Sequence, residues 1–280
     1  MKQRIITSIV ACAVLIPVLI FADTPALPVG IALCAVIGVY EMLACVGLKQ
    51  SLAISAPLYL CAGAFPLLAR YIKDLSLFTD VAFAALSVCL LYLFAVLIFS
   101  HGKYTVQAIG SAFFSILYMI IGFTSIILIH DREIGGEFIY LTIFIGAWIT
   151  DIFAYFCGIL FGRGGKHKLI PDVSPKKTVE GSIGGIAFCV LSMVAFGLII
   201  DAVSDYHANL LLFAIAGLAV SIVAQVGDLA MSVIKRTYGI KDYGKLFPGH
   251  GGVLDRFDSI LAVSVVLMVF TKFFDLLTIH

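Results

Sequence analysis

Charge is what this chain has least of. Asp, Glu, Lys and Arg make up only 12% of its 280 residues, against about 25% in soluble domains. So few polar groups could not cover a globule of this size in water. That excludes an ordinary cytosolic enzyme and a disordered chain. An excess of either sign is also missing: 18 Lys and Arg stand against 17 Asp and Glu, for a net charge of +1. No global field recruits a polyanion, so nucleic acid is not an expected partner. The seven cysteines, Cys12, Cys34, Cys45, Cys61, Cys89, Cys157 and Cys189, lie scattered in apolar stretches with no CxxC and no His at ligand spacing. This excludes a disulfide framework and a Cys/His metal cluster. They read as small hydrophobes packed between helices. No internal repeat is visible that would mark a transporter built from two related halves.

What is present is apolar. Hydrophobic residues make up 62% of the chain and mean hydropathy is +1.12. A helix crosses the hydrocarbon core with about 20 apolar residues. Nine stretches meet that need, at roughly 5–22, 27–48, 52–69, 80–99, 107–129, 138–161, 183–202, 209–230 and 259–277. Lipid leaves no partner for a backbone polar group outside its own helix. The expected fold is therefore an all-α polytopic integral membrane protein of about nine transmembrane helices. Lys2 and Arg4 precede the first stretch as in a signal peptide, but its apolar run exceeds the usual 7–15 residues or so, which favours a retained anchor.

Placing the N-terminus in the cytoplasm puts only Arg70, Lys73, Arg132 and Lys272 on the far side; the other fourteen Lys and Arg face the cytoplasm. That is a strong positive-inside bias. It predicts a multi-pass protein of a bacterial-type inner or plasma membrane. Residues 1–135 read as scaffold helices. Residues 136–280 read as a catalytic region with two long polar loops, 162–182 and 231–258, on the cytoplasmic side.

A carboxylate in a spanning helix is disfavoured by about 2.5–3.5 kcal/mol and usually faces a partner or a cavity. Asp151 shares a helical face with Trp148, Tyr155, Gly158 and Gly162, spaced i, i+3, i+7, i+10 and i+14. That face suits either a functional stripe or close helix packing around one satisfied Asp. Gln225, Asp228, Ser232 and Lys235 form a polar ladder on the eighth helix. Asp228 and Lys235 are about two turns apart, too far for easy contact, so a cation or substrate between them explains the ladder best.

The densest chemistry follows. Lys235, Arg236, Lys241, Lys245 and Arg256 supply cations suited to phosphate oxygens. The Gly249-His250-Gly251-Gly252 turn has little side-chain bulk, so its N–H groups can approach an anion. Asp255 and Asp258 stand at i, i+3, and paired hard oxygen ligands beside phosphate-binding cations are the Mg²⁺ pattern. The other loop reads Gly162-Arg163-Gly164-Gly165-Lys166-His167-Lys168, then Ser174-Pro175-Lys176-Lys177-Thr178. It is not a P-loop, since His167 stands where Ser or Thr is needed and Leu160 where Gly is needed. A basic lid and a contact for anionic lipid headgroups both suit it. Acidic residues for a divalent ion, cations for phosphate and an apolar surround point to phosphoryl or nucleotidyl transfer, driven by positioning and charge neutralisation.

The run Ser232-x-Ile234-Lys235-Arg236, Lys241-Asp242-x-Gly244, Phe247-Pro248-x-His250-Gly251-Gly252-Val253-x-Asp255-Arg256-Phe257-Asp258 resembles the signature of the phosphatidate cytidylyltransferase (CDP-diacylglycerol synthase) family. Trp148, Asp151, Ala154, Tyr155 and Gly158 share in the resemblance, as does the stretch from Lys168 to Gly181. It is strong over about residues 145–260, whereas the first 135 residues match only as spanning helices. The resemblance implies that CTP and phosphatidate, drawn from membrane lipid, become CDP-diacylglycerol and pyrophosphate. It also implies a metal centre of Mg²⁺, with K⁺ as a candidate second ion, on Asp228, Asp255 and Asp258. Lys235, Arg236, Lys241, Lys245, Arg256 and His250, with Ser232, Gly251 and Gly252, are the expected phosphate contacts. For His250, phosphate binding or loop structure is favoured over acid catalysis, because a metal-bound pyrophosphate leaves without a proton donor. Ser174, Lys176, Lys177, Thr178 and Asp151 are expected on the lid or substrate side. A CTP-dependent kinase of a polyprenol or phytol type would use similar chemistry, and an anion transporter is a more distant alternative. Stripes of small residues make a homodimer a candidate assembly.

Overall fold

The computed structural model describes residues 2–162 and 167–279. Arg163 and Lys166, the first cations of the expected lid, fall outside the described residues. Among those described, the chain forms ten helices and four short strands: α1 (Lys2–Ile20), α2 (Ala26–Cys45), α3 (Leu52–Tyr71), α4 (Leu75–Phe99), α5 (Val106–His130), α6 (Gly136–Ile139), α7 (Leu141–Phe161), β1 (Lys168–Ile170), β2 (Ser174–Thr178), α8 (Val179–Val203), β3 (Tyr206–Ala208), α9 (Leu210–Thr237), α10 (Leu254–Phe273) and β4 (Leu277–Ile279).

Each of the nine expected stretches falls on a helix, and seven are long and apolar enough to cross a membrane, α6 and α7 together forming one of them. The two outside that group are the first and the last. In α1 only Ile9–Ile20 is continuously apolar. In α10 the first five residues include Asp255, Arg256 and Asp258, and Lys272 lies near its end. Helices also reach further into the polar segments than hydropathy suggests. The loop expected over 231–258 shrinks to 238–253, because α9 runs on to Thr237 and α10 starts at Leu254. The other loop folds into the antiparallel hairpin β1–β2, with Lys168 opposite Thr178 and Ile170 opposite Ser174.

The chain divides into two compact units. The first takes the chain up to Ile127 together with Tyr238–Phe257. Its core is aliphatic, with Leu27, Val39, Met42, Leu43, Ile54, Leu58 and Met119 fully buried, and Phe123 set against Phe257 with ring centroids 5.2 Å apart. On α4, Phe83, Val88, Leu91, Ile98 and Phe99 are exposed. Water would not tolerate that row, whereas lipid solvates it at no cost.

The second unit runs over Leu128–Thr237 and from Asp258 onward. Its heart is the packing of α7, α8 and α9 through small residues. Gly146 on α7 faces Val220 on α9, Gly184 and Gly185 on α8 face Cys157 and Thr150 on α7, and Gly217 on α9 faces Val190 and Met193. Such residues let helices approach closely where no hydrophobic force drives them together. Phe153 and Phe188 stack at 3.9 Å, and Thr150 Oγ1 donates to Ser221 Oγ at 2.9 Å. At another edge of the unit, β3 and β4 pair antiparallel, with Tyr206 opposite Ile279.

Candidate active site

The second unit gathers the polar residues of α9. Asp228 meets Lys177 of β2, with Nζ 2.5 Å from Oδ2. Ser232, one turn on, donates to Asp228 Oδ1 at 3.4 Å. Lys235 is buried on the same helix. Asp258, near the start of α10, is 8% exposed and has Asp228, Lys235 and Asp151 as electrostatic neighbours. Its Oδ1 accepts the Ser259 N–H at 2.9 Å, and Ser259 Oγ donates to Asp151 Oδ2 at 3.1 Å. Three carboxylates, Asp151, Asp228 and Asp258, thus stand among two ammonium groups, Lys177 and Lys235. Burial, and after it the charge of Asp228, hold the Asp258 carboxyl above the usual carboxylate range.

Not every rung of the expected ladder belongs here. Gln225 Nε2 is directed at the carbonyls of Ser221 (3.4 Å) and Ser182 (3.5 Å), so it serves helix packing. The Asp151 stripe splits as well. Trp148 and Tyr155 are exposed, Asp151 joins Ser259, and Gly158 and Gly162 lie against Thr178.

Thr178 explains how Lys177 is delivered. It is the N-cap of α8, its Oγ1 accepting the Gly181 N–H at 3.1 Å. His167 braces the hairpin through Glu180 at 2.5 Å, and its carbonyl accepts the Val179 N–H. Lys176 is exposed and Ser174 half-buried on the same strand. Because Thr178 ties β2 to α8, Thr178→Val is expected to lower stability by about 1 kcal/mol, a typical loss for a cap. A thermal unfolding curve in detergent would show it.

The first unit holds the remaining candidates in the segment 238–257. A cavity of about 680 Å³ is lined by Lys241, Asp242, Lys245, His250, Gly251 and Arg256, among others. The turn under it closes with Phe247 N–H to Gly251 O at 2.9 Å and His250 N–H to Phe247 O at 2.8 Å. Gly249 and Gly251 have φ of 81° and 86°, where a side chain would be strained. Arg236, at the end of α9, is exposed.

Asp255 has a different environment from Asp258. Its Oδ2 accepts two backbone N–H groups, from Tyr243 at 2.8 Å and Gly252 at 2.9 Å. Glu41, which the hydropathy reading passed over, accepts the Val253 N–H at 3.0 Å and the Leu254 N–H at 2.9 Å. The signal for Glu41 was there: a carboxylate inside an otherwise apolar helix needs a partner.

The donor chemistry suits a hard divalent ion. Among the described residues, no three His, Cys, Asp or Glu side chains are grouped to hold a metal by themselves. Mg²⁺ asks for less, since it keeps several waters and is commonly bound by one or two carboxylates plus substrate phosphates. The Asp228–Asp258 pair meets that description.

A model of the cytidylyltransferase family matches residues 2–274. A Staphylococcus haemolyticus protein named phosphatidate cytidylyltransferase is 32% identical over 274 residues, covering 96% of this chain and 98% of its own. One of the same name from Staphylococcus saprophyticus is 34% identical over 275 residues, with the same coverage. Another, from Staphylococcus epidermidis, is 37% identical over 172 residues, 61% of this chain and 62% of its own.

Proposed function

This chain belongs to the cytidylyltransferase family, and from that premise we propose that it converts CTP and phosphatidate to CDP-diacylglycerol and pyrophosphate in the membrane. The relatives that match nearly its whole length carry that activity in their names. The observation that carries the residue assignment is the set of Asp151, Asp228 and Asp258 with Lys177 and Lys235 inside an apolar helix bundle.

In the reaction, a phosphate oxygen of phosphatidate attacks the α-phosphorus of CTP, and the bond to the pyrophosphate oxygen breaks. Asp228 and Asp258 would hold Mg²⁺, which supplies charge neutralisation at the phosphate oxygens when bound. Lys177 has a second task open to it. Its ammonium, which faces the Asp228 carboxylate, would pair with a substrate phosphate if that carboxylate held the ion. Lys235, buried beside the carboxylates, holds its charge where a phosphoanion gains most from it. Lys241, Lys245 and Arg256, around the glycine turn, are assigned to the triphosphate, with Arg able to bind two oxygens at once. His250 contacts phosphate or shapes the turn. Asp255 keeps that turn in place. The cations of these segments lie on the side of the membrane that the positive-inside rule makes cytoplasmic, where CTP is available.

The test is the fate of the label from CTP labelled at the α-phosphorus. With phosphatidate and Mg²⁺, the purified protein should move label into the lipid phase and release unlabelled pyrophosphate. EDTA should stop both, and excess Mg²⁺ should restore them. Label that stays aqueous as CDP would instead identify a lipid kinase. Label that crosses a liposome unchanged would identify a transporter.

A further inference from the structure

Glu41 lies near the C-terminal end of α2 and is 3% exposed. Its Oε1 and Oε2 face the N–H groups of Val253 and Leu254, 212 and 213 residues away in sequence. Those amides open α10 and have no acceptor within their own helix. The positive end of a helix also favours a negative group there. Stability alone would be served by a cap from the adjoining loop, such as a Ser or Asp. Here the cap comes from another helix, and it also acts as a wedge. A Cβ on Gly244 or on Gly252 would overlap the Glu41 carboxylate. Gly244 and Gly251 lie in the wall of the basic cavity, and Gly252 is the next residue in the chain. Asp255 takes the N–H groups of Tyr243 and Gly252. Two buried carboxylates therefore pin backbone amides at both stems of the segment that carries Lys245, His250 and Gly251.

We infer that Glu41 is a positioning residue for nucleotide binding: it fixes the C-terminal stem of the cavity loop at Val253 and Leu254 and packs against Gly244 at the other stem, before the anion arrives. The inference rests on reading that cavity as the CTP triphosphate site. A loop that must be ordered during binding loses affinity by the cost of ordering it. Glu41 itself touches no reacting atom. Its loss should therefore appear in the KM for CTP more than in kcat.

The experiment uses the full-length protein in detergent micelles. Glu41→Gln keeps the side-chain size and one acceptor oxygen but turns an NH₂ group toward one of the two amides. The KM for CTP should rise about 10- to 100-fold, as expected for a lost charge-assisted pair. The KM for phosphatidate and kcat should stay within about threefold. Without any nucleotide, hydrogen exchange in peptides covering 243–254 should accelerate by at least about tenfold. Gly244→Ala, which presses on the carboxylate while leaving it in place, should give both effects; this variant carries the test if Glu41→Gln does not fold. An unchanged KM for CTP in both variants would overturn the inference. So would a fall in kcat with both KM values unchanged and a lower melting midpoint, since that marks a general structural residue. If the wild-type protein made no use of CTP, the nucleotide reading would fail by itself. The exchange rates would still decide whether Glu41 pins the loop.

Discussion

Asp258→Asn should lower pyrophosphate release from CTP and phosphatidate on the order of 10³-fold, the scale of losing a preorganised charge in a water-poor site, while the melting midpoint in EDTA holds steady or rises. Asp258 is buried and has two carboxylates, Asp228 and Asp151, among its electrostatic neighbours. Without a divalent ion, burial and the neighbouring Asp228 disfavour the ionised form of Asp258. Asn has the same shape and removes one of the charges, so stability does not fall. It can still accept the Ser259 N–H through its amide oxygen. Losing activity while keeping or gaining stability is the mark of a residue held in place for chemistry. Asp228→Asn should behave alike, with weaker retention of Lys177, which loses its ion pair. Asp255→Ala should do the opposite. It strands the buried N–H groups of Tyr243 and Gly252, at about 1–3 kcal/mol for each group left unsatisfied, and its midpoint should drop. Activity in Asp258→Asn close to wild type would remove the metal role from this carboxylate.

Gly181→Val should be strongly disruptive in the second unit, lowering stability by about 3 kcal/mol or more and taking activity with it. A Cβ on Gly181 would collide with the backbone carbonyl of Ala154, and it would stand 3.0 Å from Thr178 Oγ1 and 3.2 Å from Gly158 Cα. Backbone atoms cannot rotate away as a side-chain tip can. The helices α7 and α8 would have to separate at the turn where Thr178 joins β2 to α8. That turn sets Lys177 against Asp228, so the damage reaches the carboxylates through the hairpin. Gly110→Ala provides the contrast. Its Cβ would meet nothing within 4 Å, and replacing a helical glycine there should leave stability unchanged or raise it by about 0.5–1 kcal/mol. Thermal unfolding of both variants in the same detergent checks the pair. A wild-type midpoint in Gly181→Val would mean that α7 and α8 do not pack as closely as described.

The two polar stretches were legible as sites of chemistry because ionisable residues are scarce in this chain and costly within helices. Asp228 and Asp258 drew attention for that reason, and the structure sets them among the same partners. Asp255 stands at the same i, i+3 spacing, and its Oδ2 accepts two loop amides. Spacing along a helix states which residues share a face, but not which backbone amides lie opposite each oxygen. Gln225 shows the same limit, since its Nε2 is directed at the carbonyls of Ser182 and Ser221. Lys177 was named for a lid, without its partner.

The sequence by itself determined the solvent of this protein, the position of its apolar helices, and the stretches in which its polar residues are concentrated. Those properties follow from local sums: a window of side-chain transfer energies settles whether a segment enters lipid, whatever the rest of the chain does. Tertiary structure alone decided that Lys177 meets Asp228, that Ser259 links to Asp151, and that Glu41 closes the amides at the start of α10. These are pairings between segments far apart in the chain. They depend on how closely helices approach through Gly146, Gly181 and Gly185, and no hydropathy window contains both partners.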